Sequence, residues 1–153
     1  MRIELLTIGT KLPSWAEEAF TFYQQRLPNT WQLRLWPHAH SNKQTVAQRQ
    51  QQEAETLLKT LSKLRQQDTQ ILVLDERGTQ RNNTQWHQLL TNSSHTIMLV
   101  GGADGLDQSL REKAHQLCAL GMTTLPHMLV PVLCAELVYR SYCLATNKPY
   151  AQH

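Results

Sequence analysis

Ile97-Met98-Leu99-Val100-Gly101-Gly102-Ala103-Asp104-Gly105 is an apolar run that stops at three glycines within five residues. Such a run, bounded by glycine, reads as a buried strand feeding a loop. Gly101 and Gly102 leave the backbone free to turn or to come within contact distance of a ligand, because neither carries a side chain. A ligand is expected there.

Working outward, the chain alternates strand and helix signals. Residues 2–9 alternate and then turn apolar up to Gly9, the pattern of a strand entering a sheet. Ser14 with Glu17 three residues later reads as a capping box, opening a helix to about residue 27 that packs Trp15, Ala19, Phe22 and Tyr23 into the core. Residues 31–36 form a second strand with one wet face, followed by a polar loop holding His38, His40, Asn42 and Lys43. A long glutamine-rich helix over 45–65 carries Val46, Leu57, Leu58, Leu61 and Leu64, which thicken only in its second half. Its first half is expected to project into water or onto a partner.

Residues 70–75 are a buried strand ending in Asp75, followed by Arg77-Gly78. Helices are expected over 84–90 and 107–113, strands over 96–100 and 115–120, and a loop over 121–127. The last helix, 130–146, packs Val132, Leu133, Leu137, Val138 and Tyr142. A polar tail follows it. Strands alternating with helices imply an α/β domain over residues 1–153, with a mostly parallel sheet and helices on both faces.

Composition narrows the function classes. The chain has 153 residues, 41% of them hydrophobic, which suits one globular domain. No apolar run approaches the roughly 18 residues of a membrane span, and the first residues lack a secretory signal, so no membrane partner and a cytoplasmic location are expected. Cys118, Cys134 and Cys143 are odd in number and lie in apolar surroundings, so they read as buried free thiols. A net charge of +3 permits an RNA partner without demanding one.

The glycine stretch is not a dinucleotide fingerprint, which belongs on the first strand-to-helix turn with an acidic residue roughly 20 positions later. It is not a phosphate loop either, since the lysine and Ser/Thr of that motif are missing. No Gly-x-Ser-x-Gly elbow and no His-Glu-x-x-His pair occurs, so no metal is expected. Asp75 closes a strand where α/β folds place ligands, and reads equally as a site residue or a local cap. Lys43, Arg49 and Lys59 read equally as RNA contacts or as a solvated face.

Four ordered segments are more specific: residues 101–105, Met122-Thr123-Thr124-Leu125-Pro126-His127, Ala135-Glu136-Leu137-Val138-Tyr139-Arg140, and Pro149-Tyr150. With Ile8-Gly9, Lys11 and Leu74-Asp75, this set resembles the ribosomal large-subunit pseudouridine methyltransferase H family of the SPOUT class, along the full length. The resemblance implies a C-terminal trefoil knot, a homodimer, and S-adenosylmethionine as methyl donor. It further implies methylation of N3 of a pseudouridine in large-subunit rRNA, with the assembled ribosome as partner.

Carried over by motif, the cofactor would contact Leu74, Gly102, and the knot loop Gly121, Met122, Thr123, Thr124, Leu125 and Pro126. Arg140 would hold RNA or stabilise charge, and Tyr150 would complete the catalytic site, from either subunit. His127 is a candidate base, weighed against a structural histidine. The chain departs from the family pattern at Pro131, where arginine is usual, and at Ala151, where histidine is usual. Those departures set an alternative beside the enzyme: a knotted cofactor-binding homologue with weakened or lost rRNA methylation.

Overall fold

The computed structural model describes residues 1–9 and 11–152. Its elements run β1 (Arg2–Ile8), α1 (Ser14–Gln24), β2 (Gln32–His38), α2 (Val46–Leu64), β3 (Thr69–Gln80), α3 (Asn83–Thr91), β4 (His95–Val100), α4 (Gln108–Arg111), β5 (Gln116–Ala119) and α5 (Val130–Ala145), then a 3-10 turn (Pro149–Gln152). The strands form one parallel sheet in the order β2-β1-β4-β3-β5. The expected α/β class with a parallel sheet is what the chain builds.

Helices cover both faces because the central strands are apolar on both. Met98 and Val100 face a cluster with Phe20 of α1, Trp86 and Leu90 of α3, and Cys134, Ala135 and Val138 of α5. Ile97 and Leu99, one residue out of phase, face Ala54, Leu57 and Leu61 of α2 and Leu110 of α4. The period of two along β4 thus divides one apolar run between two cores.

Local chemistry sets the helix ends. Thr45 caps α2 by accepting the Gln48 N–H at 3.2 Å. Asn82 and Gln85 form a reciprocal capping box on α3, both bonds 2.9 Å. Asn147, at φ 53°, stops α5 in the left-handed conformation that asparagine tolerates. The box expected at Ser14 is not formed: the Ala16 and Glu17 N–H groups bond the Pro13 carbonyl, so the helix starts one residue earlier and no side chain caps it.

Other expectations are corrected by geometry. On α1 the inward face is Ala16 and Phe20, while Trp15 is 53% exposed and Phe22 48% exposed. Trp15 sits one position, about 100°, from Ala16, and Phe22 two positions, about 200°, from Phe20. Leu133 of α5 is half-buried, and the buried stripe instead includes Cys134 and Ala135. His38 belongs to β2, paired with Ile8, and its ring meets the Thr7 carbonyl at 3.2 Å and Thr60 Oγ1 at 2.7 Å. In the polar tail, Tyr150 packs on Tyr139 with ring centroids 5.0 Å apart. All three cysteines are free and buried, and burial pushes the Cys134 thiol up to about 12.

β3 does not end at Asp75. β5 pairs with it twice, at residues 72–74 and again at 79–80, and residues 75–78 bulge out between the two stretches. Gly78 makes this possible, since a Cβ there would lie 2.6 Å from the backbone of Leu117 and Cys118. Gly78→Ala must therefore push β5 away, and should cost about 1–3 kcal/mol of stability, read as a lowered denaturation midpoint.

A second prediction concerns the opposite end of the sheet. His95 is buried, with Nδ1 2.6 Å from Thr69 Oγ1 and Nε2 3.8 Å from Glu4 Oε1, too long for a hydrogen bond. Burial, reinforced by Arg2, holds its pKa below the usual value. Below about pH 6.5 the unfolded chain gains a proton that folded His95 refuses, so stability should fall as pH falls. His95→Asn should make the slope of stability against pH shallower over that window, measured by urea denaturation.

Candidate active site

The carboxyl ends of β4 and β5, with residues 74–77 of β3, open onto a cavity of about 640 Å³, a size suited to a nucleoside-like ligand. One wall is residues 74–77, a second is 100–106 with Arg111, and a third is residues 120–121 and 123–127. This is the end of a parallel sheet where α/β folds bind ligands.

The glycine loop is held from both sides. Gly105, at φ 80°, donates its N–H to the Gly102 carbonyl at 3.0 Å and closes the turn. A Cβ on Gly101 would strike the Leu106 side chain at 2.8 Å. From α2, Arg49 Nε bonds Asp104 Oδ2 at 2.7 Å, and Gln50 donates to the Asp104 carbonyl at 2.6 Å. The Arg49 bond holds the Asp104 carboxyl below its ordinary pKa. The first half of α2, exposed on its outer face, thus anchors the loop.

The wall at 74–77 is charged. Burial alone would raise the Asp75 pKa, but the Arg77 N–H, the Arg77 guanidinium and Arg111 together hold it low. Its side chain is 6% exposed, and Arg111 Nε lies 2.9 Å from Oδ2 as an ion pair, with the N–H aimed off the oxygen. Glu76 accepts a 3.0 Å bond from the Thr124 hydroxyl, tying the β3 bulge to the third wall.

Of the residues singled out in the sequence, Leu74, Gly102, Gly121, Thr123, Thr124, Leu125 and Pro126 line this one cavity. Met122 lies apart from the lining with 89% of its surface exposed. Arg140 and Tyr150 stand elsewhere, together. Glu136 Oε1 accepts from Arg140 Nε at 2.9 Å, from an Arg140 terminal nitrogen at 2.6 Å and from the Tyr150 hydroxyl at 2.9 Å. The Arg140 guanidinium lies 5.1 Å from the Tyr150 ring centroid. Burial, with the Tyr23 and Glu136 contacts, pushes the Tyr150 phenol well above its ordinary pKa, so it stays a donor. Arg140 follows Val130, at the cavity, by ten residues of helix, about 15 Å along its axis.

Sequence reasoning missed Arg111, Glu76 and the role of Arg49. Arg111 and Glu76 carry no motif, and Arg49 reads in the sequence equally as an RNA contact or as part of a solvated face, not as an anchor for the glycine loop. Among the described residues no cluster of three His, Cys, Asp or Glu side chains could hold a metal. No helix among them is long and apolar enough to cross a membrane.

Comparison with known proteins agrees with this layout. A sequence model of the family described as "Predicted SPOUT methyltransferase" matches residues 1–151. The chain is 36% identical over 160 residues to the Ribosomal RNA large subunit methyltransferase H of Cupriavidus metallidurans, covering 98% of each chain. It is 34% identical over 157 residues to the protein of that name from Nitrosomonas eutropha, and 35% identical over 157 residues to that from Hydrogenovibrio crunogenus, again with 98% of each chain covered. A match over essentially the whole length, on a parallel sheet with its cavity at the strand ends, shows that this chain belongs to the SPOUT methyltransferase family.

Proposed function

We propose that this chain is a one-domain, knotted, homodimeric cytoplasmic enzyme that methylates N3 of a pseudouridine in large-subunit rRNA, using S-adenosylmethionine and acting on the assembled ribosome. The observation that carries the reading is the convergence of the 101–105 and 121–126 segments on one cavity. Full-length relatives named for rRNA large-subunit methylation support the substrate class.

The residues present fit the donor. Gly121 lines the cavity, and a Cβ added to it would meet nothing within 4 Å, so the missing side chain is room for a ligand. Leu74, Gly102 and the 121–126 loop would hold it, with Met122 contributing backbone only. S-adenosylmethionine supplies a methyl group on a sulfonium sulfur that leaves readily. The chain's own task is to position the acceptor and handle a proton, because the imide nitrogen must lose its hydrogen. Arg140 serves to hold RNA or to stabilise the anion left behind, and Tyr150, kept protonated, donates beside it.

Gly121→Val should fold normally, since Gly121 has no positive φ. It should weaken S-adenosylmethionine binding at least tenfold in calorimetry, by occupying the cavity. For the reaction itself, purified chain, isotopically labelled donor and ribosomes lacking the modification should give methylated pseudouridine by mass spectrometry. Arg140→Ala should bind the donor as wild type does and lose transfer by about 100-fold or more. Donor binding without transfer by the wild type would select the cofactor-binding homologue instead.

A further inference from the structure

β1 and β4 are neighbours whose connections leave toward opposite faces, β1 to α1 and β4 to α4. Such a switch point opens a crevice at the strand ends. His40 sits in it. A Cβ on Gly102 would come within 3.0 Å of His40 Cε1, and one on Gly9 within 3.8 Å of Nε2. The ring is 47% exposed and stands edge-on to the ring of His127, centroids 6.1 Å apart, and His127 lines the cavity.

Behind His40 lies Glu53 of α2, its side chain only 7% exposed. Glu53 Oε2 is buried, accepts no hydrogen bond, and points at His40 Nδ1 from 3.8 Å. A buried carboxylate oxygen without a donor is costly and calls for a use. A carboxylate behind one nitrogen of a half-exposed imidazole is the arrangement of a general base with its orienting group. The gap exceeds a hydrogen bond, as such contacts often do before substrate arrives. Among the described residues, the charged or titratable groups around His40 are Glu53 from α2, Lys43 lining the same small cavity, His127 from the knot-loop segment, and Asp104 from the glycine loop, itself tied to Arg49.

We infer that His40, oriented by Glu53, accepts the proton that the RNA base loses on methylation; this rests on the reading above. The imide N–H bond breaks, its proton going to His40 Nε2 and its electron pair staying on nitrogen. That pair forms the bond to the methyl carbon, while the carbon–sulfur pair returns to sulfur. The positive charge that began on the sulfonium ends on the imidazolium, against the Glu53 carboxylate. His40 is the catalytic residue and Glu53 its positioning residue.

His40→Gln should leave donor binding unchanged by calorimetry and lower kcat about 100-fold, and the rise of kcat with pH expected of the wild type should vanish. Independently of turnover, ¹⁵N shifts of the neutral His40 ring should place its proton on Nδ1, and Glu53→Gln should abolish that preference. Wild-type kcat in His40→Gln would overturn the assignment, as would loss of the pH dependence in His127→Gln but not His40→Gln. The same tautomer balance with and without Glu53 would overturn the role of the pair. No transfer by the wild type on any ribosomal RNA would overturn the methylation reading itself, and this assignment with it.

Discussion

Everything at the cavity depends on how closely β5 lies against β3. At Gly78 the two backbones are near enough that even a methyl group would overlap Leu117 and Cys118. Because β5 pairs with β3 on both sides of residues 75–78, those residues cannot join the ladder and are expelled toward the ends of the strands. They carry Asp75, Glu76 and Arg77, and so a backbone constraint delivers three charged side chains to the rim of a cavity. Asp75 then recruits Arg111 and Glu76 recruits Thr124, which fastens the bulge to the elements on either side of it.

The glycine loop obeys a similar logic with the opposite means. It is short and cannot support itself, so its shape comes from outside: Leu106 fills the space beside Gly101, and Arg49 with Gln50 grips Asp104. That explains why a helix as polar as the first half of α2 is present at all. Its buried apolar residues, Ala54, Leu57 and Leu61, fix the second half on the sheet, and the first half extends as a lever over the loop.

Much of this was legible in the sequence, and the parts that were not share a cause. Strand and helix order, the parallel sheet, the glycine loop and the third wall, at 121 and 123–126, follow from periodicity, glycine placement and motif. Side-chain direction around a helix is harder to read. Trp15 and Phe22 look like core residues by hydrophobicity, yet one or two helical steps turn them away from Ala16 and Phe20, and an aromatic residue gives no clue to which stripe is inward. Met122 shows the same limit in a loop, where no period exists to orient it. Pairings such as Asp75 with Arg111 join residues 36 positions apart and leave no local trace.

The two polar stations of the molecule impose a final condition. His40, backed by Glu53, stands beside Gly102 and His127 of the cavity wall, whereas Arg140, Glu136 and Tyr150 cluster about 15 Å along α5 from Val130. Within one chain the two groups therefore stand at different parts of the molecule. The proposed homodimer resolves this if the cluster of one subunit faces the cavity of the other, and it gives the exposed Trp15 and Phe22 of α1 a reason to be apolar. Pro131 fits the same account. It is buried in the first turn of α5, where its missing N–H costs nothing, so this position serves packing.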